Sequence, residues 1–107
     1  MMSKYSDYLD VPYVEDIEVV KNNLVIKGSW PNPGWKLKKY MVDRHGDTLH
    51  VFILGESKSS GKINIQIMNP FKYIIPLKDI KEKKGNFRKI IVYSRDGKEH
   101  VVEVSLR

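Results

Sequence analysis

The chain has 107 residues, a net charge of +6 and no cysteine. Its length suits one domain with a single core, and its 41% hydrophobic and 30% charged residues exclude wholesale disorder. The missing cysteines exclude disulfides, thiolate metal sites and cysteine nucleophiles, and they favour the reducing cytoplasm.

Charge is spread unevenly along the chain. Residues 1–20 hold one lysine against five carboxylates, a net charge of −4, so the remaining residues carry +10. A basic body can attract nucleic acid or another anionic surface, but lysines also keep small β proteins soluble and protect their edge strands. No apolar run has the length of a membrane span or a signal peptide, so we expect a cytoplasmic protein with no membrane partner.

Residues 1–14 lack an apolar period and contain Pro12. We predict that they form a flexible or loosely docked acidic arm, because a terminus without a periodic apolar face has little to bury. A single β-sandwich domain is predicted for residues 15–107.

The next two segments are a hairpin and a rigid loop. Two strands are predicted on either side of a turn at residues 21–23, where Asn22 and Asn23 accept a left-handed backbone. Two prolines and two glycines then exclude helix from residues 28–34. We expect Trp35 in the core and Trp30, beside a proline, partly exposed as a protein-binding patch.

Alternation of apolar and polar residues predicts the strands that follow, over residues 35–42, 48–54, 62–67 and 71–77. In the first of these, the side chains predicted to face inward are Trp35, Leu37 and Met41. Those predicted to face outward are Lys36, Lys38 and Tyr40. The predicted core of the domain comprises Ile63, Ile65, Ile67, Phe71, Tyr73, Ile75, Leu49, Val51, Leu37 and Trp35.

The last third of the chain contains a helical segment and a hairpin. Residues 78–84 predict at most one short helical turn, anchored by Ile80 and closed by Gly85. The final hairpin turns at Asp96-Gly97, the dipeptide that a type I′ turn prefers. Eight short strands with regular turns indicate an all-β, antiparallel sandwich or barrel.

The sequence offers little catalytic chemistry. His45, His50 and His100 stand apart, with no metal-ligand spacing, and each is interpreted as a surface residue. Ser60-Gly61-Lys62 lacks the spacing and the following helix of a phosphate loop. We therefore predict no catalytic, cofactor or metal site, and an enzyme is the least favoured hypothesis.

A binding surface is the remaining prediction. The candidate residues are Trp30, Lys36, Lys38, Tyr40, Lys39, Arg88 and Lys89. One hypothesis is a protein-interaction or accessory module that uses a sheet edge or the Trp30 loop. The alternative is a nucleic-acid-binding face on which an aromatic stacks bases among lysines. Oligomeric state is left open.

Short motifs across residues 24–105 resemble a known domain type. Gly28-x-x-Pro-Asn-Pro-Gly-Trp-Lys-Leu37 and Gly46-Asp-Thr-Leu-x-Val51 are similar to the core of the C-terminal domain of protease-complex-subunit-B-type proteins, and of small exported prokaryotic domains with a Pro-x-Pro-Cys loop. The segment from Pro70 to Leu77 and the final hairpin follow in the same order as the corresponding segments of those domains. The resemblance implies an immunoglobulin-like antiparallel sandwich of seven or eight strands without catalytic residues. Gly34 stands where the exported relatives have cysteine, so their disulfide is not implied.

Overall fold

The computed structural model of the chain describes residues 8–57 and 67–104. These residues form an all-β sandwich of two sheets with one short helix, which confirms the predicted fold class. In chain order the elements are β1 (Tyr8–Asp10), β2 (Tyr13–Val20), β3 (Asn23–Trp30), β4 (Trp35–His45), β5 (Thr48–Ser57), β6 (Asn69–Pro76), α1 (Leu77–Lys84), β7 (Lys89–Tyr93) and β8 (Glu99–Glu103).

The central strand of the larger sheet is β5. Strand β4 pairs with β5 along its whole length, so β1 and β7 share the opposite edge of β5. Strand β8 follows β7, and the smaller sheet has the order β2-β3-β6. The β5–β7 pair is parallel, which corrects the prediction of an entirely antiparallel sandwich. Its connection contains β6 and α1, because a parallel pair requires a long crossover.

The core lies between the two sheets. The alternation predicted for β5 is confirmed, since Leu49, Val51 and Ile53 are fully buried. Five more of the predicted core side chains are partly buried and pack against this cluster: Phe71, Tyr73, Ile75, Leu37 and Trp35. The smaller sheet contributes Leu24 and Ile26, which are also fully buried.

One predicted core residue is exposed. Ile67 has 64% of its surface accessible, so its placement in the core is wrong. The reason is that Ile67 precedes β6 and belongs to no strand. Ile63 and Ile65, with most of the strand predicted over residues 62–67, lie outside the described residues.

A β-bulge at Lys38 interrupts the alternation of β4. Leu37 pairs with Gly55 and Lys39 pairs with Leu54, so Lys38 is the extra residue. One extra residue exchanges the two faces for the rest of the strand, because successive side chains alternate. Tyr40 therefore packs against the core, the reverse of its predicted orientation.

The same exchange affects the rest of β4. Met41 was predicted to face inward, but it is 49% exposed. Val42 takes the inward position and packs against the core. The inner face of β4 therefore comprises Trp35 and Leu37 before the bulge, and Tyr40 and Val42 after it.

Trp30 is buried more deeply than predicted, and Trp35 less deeply. Trp30 ends β3 on the inner face and is 1% exposed, whereas Trp35 begins β4 and is only partly buried. The two rings stack with centroids 6.0 Å apart. Trp30 Nε1–H donates a hydrogen bond of 2.9 Å to the Tyr73 hydroxyl. Gly55 lies against the Trp30 ring so closely that a Cβ atom at this position would overlap it.

The segment 8–14 belongs to the sandwich. Strand β1 pairs with β5, Pro12 is fully buried and Val14 is 4% exposed. The domain boundary predicted after residue 14 therefore falls inside β2, and residues 8–14 are not a loosely docked arm. Hydrogen bonding of β1 to β5 holds this segment in the sandwich, and the sequence pattern of the segment itself does not indicate that pairing. Residues 1–7 of the predicted arm lie outside the described residues.

Two hairpin turns differ from their predictions. Lys21 and Asn22 have φ of 51° and 65°, so the two left-handed residues of this turn lie one position earlier than predicted, and Asn23 already belongs to β3. In the last hairpin only Gly97 has positive φ, at 86°, so the type I′ turn predicted there is wrong. A five-residue loop closes instead, with Gly97 N–H donating to the Ser94 carbonyl at 3.0 Å.

The predicted helical segment is confirmed as α1, but its eight residues form about two turns rather than the single turn predicted. Leu77 and Ile80 are its buried residues, and Gly85 ends it with a φ of 83°. The Gly85 N–H donates to the Lys81 carbonyl at 2.8 Å. Within the described ranges, no helix combines the length and apolar character needed to cross a bilayer.

Candidate functional site

The structure does not bring the seven predicted surface residues together on one face. Trp30 is buried, and the bulge turns Tyr40 inward. Lys36 pairs with Glu56 and Lys89 pairs with Thr48, so these two lysines lie eight positions apart along β5, about 27 Å of strand. Arg88 adjoins Lys89 at that far end and is exposed.

Three of the seven, Lys38, Lys39 and Tyr40, line a cleft of about 620 Å³. We call it the lysine cleft. Its walls are β4, β6 and α1, and its apolar floor comprises Leu37, Val42, Val51, Ile75 and Ile80. Because Val51 is fully buried, the floor of the cleft reaches the core. The volume lies in the range of small-ligand sites, about 300–1,000 Å³.

The sheet topology explains why the cleft forms here. Strands β4 and β6 are each the last strand of their sheet, so they border the open side of the sandwich. Helix α1 follows β6 directly and closes one end. Arg44, on β4, links this strand to the C-terminal end of α1. Its side chain donates one hydrogen bond to the carbonyl of Lys84 and another, of 2.9 Å, to the carbonyl of Gly46.

The rim of the cleft is basic. It carries four lysines, Lys38, Lys39, Lys83 and Lys84, against one carboxylate, Asp79. Lys38 Nζ lies 3.5 Å from Glu56 Oε1. None of the ion pairs found within residues 8–57 and 67–104 includes the other three lysines. The rim therefore presents an unbalanced positive charge beside an apolar floor.

Tyr40 places a neutral hydroxyl at the cleft. Burial raises the pKa of Tyr40, and the neighbouring Tyr73 raises it further. The two rings meet edge to face with centroids 6.2 Å apart. A tyrosine is protonated at neutral pH, and the upward shift of its pKa only reinforces this, so Tyr40 is a hydrogen-bonding phenol that adds no negative charge to the lysine rim.

The histidines have different environments from one another. His45 is exposed, with Nε2 at 3.3 Å from Asp43 Oδ2. His50 is partly buried, with Nδ1 at 2.7 Å from the Tyr93 hydroxyl. His100 is also partly buried, so its interpretation as a surface residue is wrong, because it lies on the inner face of β8 opposite Val92. Among the described residues, no group of three or more histidine, aspartate or glutamate side chains could hold a metal ion.

Sequence reasoning missed the part of the cleft that comes from α1. Asp79, Ile80, Lys83 and Lys84 line it, and their spacing of three and four residues places them on one side of a helix. That spacing could have been recognised in the sequence if the segment had been taken as a full helix rather than a single turn. The sequence does not indicate which strand this side of the helix approaches.

No protein-family model matches the chain, and no curated protein or solved structure is significantly similar to it. The resemblance to protease-complex-subunit-B-type domains therefore remains a prediction.

Proposed function

We propose that this protein is a non-catalytic protein-binding module, an accessory subunit that takes an extended acidic segment of a partner protein into the lysine cleft. The observation that carries the proposal is an apolar floor with a lysine rim between two edge strands. This arrangement can hold the apolar side chains of a ligand while it pairs with carboxylates.

The edge strands favour an extended ligand. Among the described residues, β4 pairs only with β5, and β6 pairs only with β3. Within residues 8–57 and 67–104 the other edge of each strand is unpaired, so it can offer backbone N–H and C=O groups to an added strand. An extended peptide alternates its side chains, so one set can enter the cleft while the other faces solvent.

The rim favours an acidic ligand. Lys39, Lys83 and Lys84 have no ion-pair partner among the described residues, and carboxylates of a ligand would supply one. Exposed pairs of this kind each contribute little, but together they steer association and discriminate against basic partners. The apolar floor contributes the affinity that such pairs lack.

The nucleic-acid hypothesis has weaker support. It requires an aromatic side chain beside the lysines on an open face, and Tyr40 instead packs against the core. A phosphate backbone could contact the lysines, but it would leave the apolar floor uncovered. A peptide with apolar and acidic side chains can contact both the lysines and the apolar floor.

The proposal is tested with a fluorescein-labelled peptide of alternating valine and glutamate, followed by fluorescence anisotropy. We expect this peptide to bind, and to bind more weakly as salt is raised. A serine–glutamate peptide should bind more weakly because it lacks the apolar side chains. A valine–lysine peptide should not bind.

Two double variants on α1 provide a matched comparison. Lys83→Glu with Lys84→Glu reverses the charge of the rim and should weaken binding about tenfold or more, equivalent to about 1.4 kcal/mol. Lys78→Glu with Lys81→Glu changes the net charge equally but lies outside the cleft, so it should leave the affinity unchanged. Equal affinities for the two variants would overturn the proposal. So would tighter binding of a single-stranded oligonucleotide than of the valine–glutamate peptide.

Two further expectations accompany this proposal. The immunoglobulin-like relationship is supported by the two-sheet arrangement and the closing hairpin, although the parallel β5–β7 pair departs from an all-antiparallel pattern. The cytoplasmic location is supported by the cysteine-free sequence. Fractionation of the source cells tests the cytoplasmic location.

A further inference from the structure

The two edge strands that border the lysine cleft differ in the backbone groups they offer to an added strand. We call the edge of β4 and of β6 that is unpaired within residues 8–57 and 67–104 the free edge of that strand. In an antiparallel pair, every second residue directs its N–H and C=O groups at the partner strand, and the residues between direct theirs away from it. The register and the hydrogen bonds at the strand ends therefore identify the groups on each free edge.

Prolines occupy two of the four positions that face the free edge of β6. The N–H of Leu77, directly after the strand, donates to the Asn22 carbonyl at 3.0 Å, in register with the β3–β6 pairing. By alternation, four residues of β6 direct their backbone groups away from β3: Pro70, Lys72, Ile74 and Pro76. Proline has no N–H, so this edge can donate only from the two residues between the prolines.

Strand β4 contains no proline, so every residue on its free edge keeps its N–H. A two-residue turn connects β4 to β5, and such a turn closes with a hydrogen-bonded pair, here His45 and Thr48. Every second residue of β5 from Thr48 onward therefore bonds to β4. The residues of β4 opposite the intervening positions face the free edge, and three of them line the lysine cleft: Leu37, Tyr40 and Val42.

The other end of β4 has the same alternation. Trp35 lies opposite Ser57, one of the intervening positions, and its N–H donates to the Asn32 carbonyl at 3.4 Å. The bulge at Lys38 keeps the free-edge groups in phase, because the three residues that line the cleft lie opposite alternate residues of β5, Gly55, Ile53 and Val51. Their N–H groups are therefore about 7 Å apart, the two-residue repeat of a regular strand.

We infer that the ligand segment adds to β4, as a strand hydrogen-bonded to Leu37, Tyr40 and Val42. This inference rests on the proposed function, which leaves the choice between the two edges open. Proline on an exposed edge is a common means of preventing strand addition, so β6 contacts the ligand through side chains. The acidic character of the ligand follows from the four lysines of the rim. The ligand is therefore a strand-forming acidic peptide, and a proline-rich segment is excluded because it lacks the N–H groups.

Amide hydrogen exchange, measured by NMR with and without saturating valine–glutamate peptide, tests which edge is used. Exchange at Leu37, Tyr40 and Val42 should slow about tenfold or more, because the added strand accepts their hydrogen bonds. Exchange at Lys72 and Ile74, the matched positions on the free edge of β6, should stay unchanged.

The outcomes separate this inference from the proposed function. Equal or greater slowing on β6, or binding that leaves exchange on β4 unchanged, would overturn the inference and leave the proposed function standing. A valine–glutamate peptide that does not bind in the anisotropy experiment would overturn both.

Backbone methylation of the peptide tests strand addition itself. One valine–glutamate peptide is N-methylated at every valine and a second at every glutamate, so the two carry equal numbers of methyl groups. An added strand directs only one of these two sets of N–H groups at β4. One methylated peptide should therefore bind about tenfold or more weakly than the other. Equal affinities would contradict strand addition.

Discussion

At the scale of single residues, Trp30 contributes more to stability than Trp35. Trp30 is 1% exposed and hydrogen-bonds to Tyr73, whereas Trp35 is only partly buried and packs against the core cluster from outside it. Trp30→Ala should therefore lower the free energy of unfolding by about 3–5 kcal/mol. Trp35→Ala should cost less, because it removes a smaller buried area. Chemical denaturation of both variants measures the difference, and an equal or larger loss for Trp35→Ala would contradict this assignment.

The sequence could not assign these two roles. Both tryptophans flank the same Pro-rich stretch, and either could supply the buried ring. The assignment depends on where β3 ends, since Trp30 is its last residue and follows Ile26 on the inner face. Gly55 also decides it, because the missing side chain leaves the space that the Trp30 ring fills. Gly55 is 25 positions away, so no local pattern links the two.

At the scale of the elements, the bulge at Lys38 aligns both halves of β4 with the core. Deleting Lys38 would remove the extra residue, and one half of the strand would then have to turn its apolar side chains outward. We expect the deletion to lower the free energy of unfolding by about 2–5 kcal/mol, as for the loss of a large core side chain.

The matched control for the deletion is a substitution at the same position, which leaves the chain length unchanged. Lys38→Ala removes only an exposed side chain and its 3.5 Å contact with Glu56, so it should change stability by less than about 0.5 kcal/mol. Urea denaturation of the two variants provides the measurement. If the deletion and Lys38→Ala have the same stability, the bulge does not set the register of β4.

The bulge also marks the limit of what alternation could predict. Strand β5 has no irregularity, and its inward residues were predicted correctly from a period of two. Strand β4 has the same period on each side of Lys38, but the phase changes there, and no proline or glycine signals the change. The prediction for Tyr40 failed for this reason. The lysines of the site were identified on β4, while those on α1 were missed because β4, the strand across the cleft from α1, is distant in sequence.

At the scale of the whole molecule, Arg95 joins the start of the chain to its last hairpin. Its guanidinium lies 3.0 Å from the Asp10 carboxylate and donates to the Val11 carbonyl at 3.1 Å. It also lies over the rings of Tyr13 and Trp35, at 5.9 and 5.8 Å from their centroids. No sequence pattern connects positions 10 and 95, so this contact could only be found in the structure.

Loss of the Arg95 side chain should therefore loosen β1 before it affects the core. Arg95→Gln removes the ion pair and the cation–π contacts but leaves the backbone hydrogen bond from residue 95 to Pro12. Local opening of β1 should become easier, and hydrogen exchange at Leu9 and Asp10 should accelerate about tenfold or more. Exchange at the buried centre of β5, at Val51 and Ile53, should change less. Lys98→Gln in the same loop serves as the control, because its exposed side chain makes none of the described hydrogen bonds. Unchanged exchange in β1, or an equal acceleration in β1 and β5, would show that Arg95 does not hold the N-terminal strand in place.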